Sequence, residues 1–157
     1  MRVGIGFDVH KLETGKPLIL GGVTIPHPRG LSGHSDADVL IHSLIDAMLG
    51  AAALGDIGSH FPSSDAQYAG MSSLLLLAKI NDLITANGWQ LTNLDATIVA
   101  ERPMLSPYID AMRSHLCNTL GMRLDEVSIK AKSTNGVGHI GREEGISAHA
   151  IVGIEQI

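Results

Sequence analysis

The stretch HSDADVLIHSLIDAMLGAAALG, His34 to Gly55, constrains the fold more than any other part of the chain. Val39, Leu40, Leu44, Ala47 and Met48 recur at helical spacing, which predicts a helix from about Asp36 to Ala52. Ser35, with Asp38 three residues later, resembles a capping box that would open it. Polar side chains interrupt it mainly as a stripe, because Asp38, His42 and Asp46 follow one another at single-turn intervals. A helix this apolar needs cover on most sides, and the flanking segments have the composition of strands. Met1 to Phe7 is apolar apart from Arg2, and LILGGVTIP gives two short β-rich runs about Gly21 and Gly22, the pattern of strands joined by a tight glycine turn. A second helix is predicted over about Ser72 to Ala86, stopped by Asn87 and Gly88. LDATIVA then predicts a strand, and SPYIDAMRSHLCNTLG a helix with Ser106 as N-cap, Pro107 in its first turn and Gly121 after its end. VSIKAK predicts a strand, Ser133 to Arg142 a glycine-rich loop, and ISAHAIVGIEQI a last strand. The order β, β, β, α, α, β, α, β, β points to an α/β (α+β) sandwich, one domain over residues 1–157, with helices packed on one face of a mixed sheet.

Composition bears on what such a domain can bind. With 45% apolar and 17% charged residues the chain is not disordered, and its charge-poor surface leaves room for a subunit interface. A formal charge of −5 without any Lys/Arg cluster argues against nucleic acid or an anionic membrane surface as partner, so a bound phosphate would need a local device. Cys117 is the single cysteine, which excludes a disulfide framework and reads as a packing residue. No segment has the length of a membrane span and the first residues lack a signal-peptide core, so a reducing, cytoplasmic setting is expected.

The chemistry gathers in a few segments. In GFDVHKL, Asp8 and His10 are two apart at the end of the first strand, so both project to one side, with Val9 turned the other way toward the core. With His42 they make one carboxylate and two imidazoles, a set suited to zinc with a fourth position left open. The same residues would serve equally as a strand-end hydrogen bond beside a helix histidine paired with Asp38 or Asp46. His34 and Ser35 sit where free N–H groups and the helix dipole favour an anion, although Ser35 also fits a plain cap. LGDIGSHFPSSD collects Gly55, Asp56, Gly58, Ser63, Ser64 and Asp65 in a loop longer than a plain connection needs. KAKSTNGVGHIGREEG resembles a phosphate cradle in composition, with Gly136, Gly138 and Gly141 allowing backbone approach and Lys130, Lys132 and Arg142 supplying charge, but it does not match the Walker pattern.

In their order along the chain, GFDVH, LILGGVTIP, GLSGHSDADVLIHSLIDAMLGAAALGDIGSHFP, ATIVAERP and IKAKSTNGVGHIGREEGI resemble the 2-C-methyl-D-erythritol 2,4-cyclodiphosphate synthases of the non-mevalonate isoprenoid pathway, over the full length. The resemblance implies an enzyme, a phosphorus–oxygen lyase. It would turn 4-diphosphocytidyl-2-C-methyl-D-erythritol 2-phosphate into the cyclic diphosphate by attack of the 2-phosphate on the β-phosphate, with release of CMP. It implies one Zn²⁺ per subunit held by Asp8, His10 and His42, with the Asp8 to His10 segment, Val9 included, against the substrate. His34 and Ser35 would orient the attacking phosphate, and Ser133 would stand where the family has a threonine that stabilises the transition state, so that His34 and Ser133 are the catalytic pair. Asp56, Ile57 and Gly58, with Phe61, Pro62, Ser63, Ser64 and Asp65, would cover the erythritol part. Ala100, Glu101, Arg102, Pro103, Met104, Leu105 and Ser106, with Lys132, Ser133, Thr134 and Asn135 of a neighbouring subunit, would form the cytidine pocket. The family is a homotrimer with active sites between subunits, and its threefold cavity, lined in part by residues matching His139, Arg142 and Glu144, can hold an isoprenoid diphosphate.

Several positions depart from the family pattern. Asn135 replaces a glutamate that binds a second metal, Mg²⁺ or Mn²⁺, bridging the α- and β-phosphates, and an amide oxygen is the weaker ligand for a hard cation. Met104 replaces a common lysine, Ser63 a common aspartate and His139 an aromatic, while Lys132 adds a cation where threonine is usual. Two other classes fit some of the same residues: a metal-dependent phosphoester hydrolase, and an oligomeric binding protein without activity.

Overall fold

The computed structural model describes residues 1–157. Its elements follow in the order β1 (Arg2–Thr14), β2 (Leu18–Leu20), β3 (Val23–Ile25), β4 (Arg29–Leu31), α1 (Val39–Ala52), α2 (Ile57–His60), α3 (Ser73–Ala86), β5 (Trp89–Val99), α4 (Ile109–Leu120), β6 (Val127–Lys132), α5 (Gly138–Gly141) and β7 (Gly145–Gln156). Five strands make one sheet in the order β4-β1-β7-β5-β6. β1 and β7 pair antiparallel from Arg2 opposite Ile154 to Lys11 opposite Gly145, β5 is antiparallel to β7, and β6 runs parallel to β5. The sheet is therefore mixed, as expected. β2 and β3 form a separate hairpin turned at Gly21 and Gly22, whose φ values of 58° and 74° are the left-handed conformations a tight hairpin turn demands.

α1 lies directly on β1, and two glycines are the reason. A Cβ added at Gly4 would stand 1.9 Å from the Ala47 carbonyl oxygen, and one at Gly6 equally 1.9 Å from that of Ser43. Only a strand bare at those two positions lets the helix backbone settle so close. With the sheet on one side and α3 and the β2–β3 hairpin on others, α1 is apolar nearly all round, and Leu40, Leu44 and Met48 are fully buried. Each such side chain contributes roughly 1.5–3 kcal/mol of burial free energy before the opposing chain entropy is counted.

The helices occupy one face of the sheet. On the other, Val3, Ile5, Phe7 and Val9 of β1 and Ile151 of β7 are 42–72% exposed. Val9 therefore points away from Asp8 and His10 as alternation requires, but onto this open apolar face and not into the core.

Further expectations need correction. α1 begins at Val39, because Ala37 takes a left-handed conformation (φ 58°) and Asp38, not Ser35, caps the helix by accepting from Ile41 N at 3.2 Å. Ser106 caps nothing, since Ser106–Tyr108 is a single 3-10 turn and α4 starts behind it at Ile109, ending at a left-handed Gly121 as its sequence predicts. β1 does not finish at Asp8 and His10 but continues to Thr14, where β4 pairs with its last three residues. Single helical turns, α2 and α5, interrupt the two loops expected to be irregular.

Candidate metal centre

Asp8 and His10 stand on the helix-side face of β1, two places beyond Gly6, and His42 stands on the first turn of α1 that Gly6 lets approach. The three side chains converge. His10 Nε2 is 2.8 Å from Asp8 Oδ2, His42 Nδ1 is 3.0 Å from the same oxygen, and the two nitrogens are 3.2 Å apart. A tetrahedral ion with ligand bonds of ~2.0 Å has edges of ~3.3 Å, so this triangle has the size and the donor set of three corners of a zinc site. Each imidazole is held from behind: His10 Nδ1–H donates to the Ser32 carbonyl at 2.8 Å, and His42 Nε2 lies 2.9 Å from Ser73 Oγ and 3.0 Å from Ser35 Oγ. Burial pushes the Asp8 carboxyl up, but hydrogen bonds to His10 and His42 and their charges outweigh it and hold it at about 2. Burial likewise opposes a charge on His10, and the Asp8 carboxylate overrides it and raises that histidine. The centre thus keeps its carboxylate ionised, as a metal ligand must be.

The rest of the helical stripe does other work, which removes the alternative of a helix histidine paired with Asp38 or Asp46. Asp38 accepts from Gly21 N at 3.0 Å and Gly22 N at 2.8 Å, pinning the β2–β3 turn to α1. Its complete burial outweighs those bonds and pushes it up to about 6. Asp46 accepts from Ile57 N at 2.7 Å and so anchors the start of α2.

A cleft of about 260 Å³ opens at the centre, lined by Asp8, His10, His34, Ser35, His42, Ile57, Gly58, Phe61 and Ser63, all anticipated from the sequence. Tyr68 and Leu76 complete it and were not anticipated; Tyr68 meets the Phe61 ring edge-on at 5.2 Å. In a chain with 3% aromatic residues, two aromatics in one polar loop were the available signal. Asp56, Pro62, Ser64 and Asp65 do not line the cleft. Asp56 caps α2 through Ser59 N at 2.9 Å, and the Asp65 carbonyl accepts from His34 Nε2 at 2.8 Å, which holds that ring at the cleft wall.

A second cleft of about 400 Å³ lies at the ends of β5 and β6, lined by Ala100 to Ser106 with Ala131, Lys132 and Ser133. Glu101, at the wall of this cleft, accepts from Thr134 N at 3.2 Å and Gly136 N at 3.1 Å, which fastens the Ser133 to Gly136 turn; no sequence pattern marked that role. Thr134 and Asn135 lie in this turn without lining the cleft, and Asn135 is left-handed (φ 53°) with its side-chain oxygen accepting from Ser133 Oγ at 3.3 Å. Lys130 is not part of a phosphate cradle, because it sits on β6 and pairs with Asp95 of β5. His139 and Arg142 are exposed and line neither cleft, Arg142 being paired with Glu144 at 2.9 Å. The two clefts share no lining residue.

Comparison with known proteins agrees with this geometry. A 2-C-methyl-D-erythritol 2,4-cyclodiphosphate synthase of Syntrophomonas wolfei is 55% identical over 156 residues, 99% of each chain. The bifunctional IspDF of Campylobacter jejuni superposes with a TM-score of 0.96 at 40% identity, over 99% of this chain and 42% of that longer one. A synthase structure bound to CDP superposes at 0.90 with 34% identity, over 98% of this chain and all of that one. The YgbB family model matches residues 1–155, a span that takes in the Asp8, His10 and His42 centre and both clefts, and the chain therefore belongs to the YgbB family.

Proposed function

We propose that this chain, acting as one domain, is a cyclodiphosphate synthase. It takes 4-diphosphocytidyl-2-C-methyl-D-erythritol 2-phosphate, forms a bond from a 2-phosphate oxygen to the β-phosphorus, breaks the β-phosphorus bond to the bridging oxygen, and releases CMP. In reaction class that makes it a phosphorus–oxygen lyase. The observation that carries the reading is the Asp8, His10 and His42 triangle opening onto a cleft, in a chain 55% identical to a synthase of that name.

Asp8, His10 and His42 would hold Zn²⁺, whose chemistry when bound is to polarise a phosphoryl oxygen as a Lewis acid. Two anionic phosphates must still be brought together, and orienting an intramolecular attack lowers the barrier by ~7 kcal/mol or more. His34 and Ser35 at the wall of the metal cleft suit the attacking phosphate, and the Ile57, Gly58 and Phe61 side of that cleft suits the erythritol part. At the second cleft, Lys132 supplies a cation and Ser133 a hydroxyl to the diphosphate, while the Ala100 to Ser106 segment receives the cytidine. The CDP-bound relative supports a cytidine ligand. No nucleophile from the protein is required.

A substrate with cytidine at one end and phosphorylated erythritol at the other needs both clefts, and these share no wall within one chain. With the open apolar face of β1 and β7, this supports a homotrimer in which neighbouring copies build each site, and an isoprenoid diphosphate in a threefold cavity near His139, Arg142 and Glu144 belongs to the same proposal. The residues do not fit a second cation held by the protein. Glu101 is engaged by two backbone N–H groups and the Asn135 oxygen by Ser133, so substrate phosphates and water would hold any Mg²⁺ or Mn²⁺.

The test is to incubate purified protein with the substrate and Mg²⁺, with and without a zinc chelator, and follow CMP, the cyclic diphosphate and inorganic phosphate. CMP and cyclic product in equal amounts, lost on chelation and in Asp8→Ala, are expected. No turnover in the metal-replete sample, or inorganic phosphate released with the CMP, refutes the reading.

A further inference from the structure

We propose that Ser73 and Asp36 form a hydrogen-bond relay that fixes the protonation and the aim of His42, making Ser73 a positioning residue of the metal centre. The inference rests on the reading that Asp8, His10 and His42 hold a divalent metal. His42 presents Nδ1 to the other two ligand atoms, so that nitrogen must be bare and the ring proton must sit on Nε2. Nε2 faces Ser73 Oγ at 2.9 Å and Ser35 Oγ at 3.0 Å, and of the two hydroxyls Ser73 is the one tied to a carboxylate. The same hydroxyl makes a short hydrogen bond to Asp36 Oδ1. Asp36 Oδ1 is the acceptor of that bond, so the Ser73 O–H is committed to Asp36 and the Ser73 oxygen is left to accept from His42. The direction of the chain is thereby set: His42 Nε2–H to Ser73, Ser73 O–H to Asp36.

Asp36 is itself fixed, since its oxygens also accept from Ser73 N at 2.9 Å and Asp38 N at 3.2 Å. Ser73 is fully buried and His42 nearly so, which leaves little room for water to replace the hydroxyl. Neither Ser73 nor Asp36 lines the metal cleft, so neither touches what binds there; they act through His42 alone. The two histidines are supported differently. His10 is held by the backbone carbonyl of Ser32, which no substitution removes, whereas the support of His42 is made of side chains.

The experiment measures Zn²⁺ affinity of the full-length protein by competition with a fluorescent chelator, together with the visible absorption of the Co²⁺-substituted protein. Ser73→Ala should weaken Zn²⁺ by about 10–100-fold and alter the Co²⁺ band, while its circular dichroism without metal matches the parent. Asp36→Asn, which keeps the shape but not the charge, should move both readouts in the same direction by a smaller factor, and it carries the test alone if Ser73→Ala does not fold. Affinity within twofold of the parent and an unchanged Co²⁺ band in the folded variants would overturn the relay. Asp8→Ala separates the two levels: if it abolishes binding while the Ser73 and Asp36 variants bind normally, only the relay fails, and if it too binds normally, the metal reading fails.

Discussion

Replacing Gly6 with alanine adds one methyl group, and the structure indicates that this methyl should break both the fold and the metal centre. The new Cβ would lie 1.9 Å from the Ser43 carbonyl oxygen and 2.8 Å from Ala47 N, both backbone atoms of α1. Carbon and carbonyl oxygen settle at about 3.3 Å or more, so helix and strand must part by about 1.4 Å. Overpacking of this kind costs roughly 1–3 kcal/mol, with the upper end expected because backbone cannot rotate out of the way. The shift falls on the residue next to His42, whose Nδ1 is 3.0 Å from Asp8 Oδ2. Metal sites tolerate about 0.2 Å in their ligand distances, so Zn²⁺ affinity should fall at least tenfold. Gly50→Ala is the control: it lies on the exposed side of the same helix with no neighbour within 4 Å of a built Cβ, and alanine there should add up to about 1 kcal/mol of stability. Urea unfolding in the presence of a chelator measures the first effect and chelator competition the second. If Gly6→Ala stays within about 0.5 kcal/mol of the parent and binds Zn²⁺ as well, the account of how α1 is seated is wrong.

Other expectations follow from single contacts. Glu101→Ala removes the acceptor for Thr134 N and Gly136 N, so KM for the cytidine substrate should rise roughly tenfold with Zn²⁺ affinity unchanged, and an unaltered KM counts against the fastened turn. Asn135→Glu supplies a carboxylate at a left-handed residue, costing roughly 1–2 kcal/mol of backbone strain, and should lower several-fold the Mg²⁺ concentration for half-maximal activity; an unchanged metal requirement refutes it. Asp38 is an acid held at about 6 against an ordinary 3.8, so the folded state binds its proton more tightly than the unfolded state does. Stability present below pH 4 is then lost as the pH rises to 6, by about 3 kcal/mol, and in metal-free protein this fall should vanish in Asp38→Asn, whatever that change does to the absolute stability. Asp8, held at about 2, works in the opposite sense and in a lower window, so the difference between parent and variant isolates Asp38. Ile5→Asp places a charge on the open apolar face and should give a folded protomer by circular dichroism that sediments as a monomer without activity; a trimer would refute the proposed assembly.

The parts of the fold legible in the sequence are those written in periodicity. Period-two alternation placed Asp8 and His10 on one side of β1, and helical spacing put His42 within reach on α1. Alternation separates two faces without saying which is inside. On β1 the inner face carries Gly4, Gly6, Asp8 and His10 and the outer face Val3, Ile5, Phe7 and Val9, the reverse of what hydrophobicity suggests, which is why the sequence alone sends Val9 to the core. The caps failed for a related reason. Ser35, Asp38 and Ser106 all have the chemistry of an N-cap, and the choice among them depends on the left-handed turn at Ala37, on the bond of Ser35 to His42, and on the 3-10 turn at Ser106. Tyr68 and Ser73 carry no site signal of their own in the sequence, although Ser73 opens the second helix that its pattern predicts, and only the packing of that segment against α1 brings them to the cleft and to His42.

One stripe of α1 fastens three separate pieces of the chain. Asp38 grips the Gly21 and Gly22 amides, His42 meets Asp8 and His10, and Asp46 grips the Ile57 amide. Amides in surface turns ordinarily exchange with solvent by small local openings. These three have their acceptors on a rod wedged against two glycines of β1, so their release is expected to follow the departure of that rod from the sheet. Their deuterium uptake should therefore keep pace with the slowest amides of the helix core. The Ile57 wall of the metal cleft, the β2–β3 turn and the centre of the molecule would then open in a single cooperative step, with no partly loosened site in between.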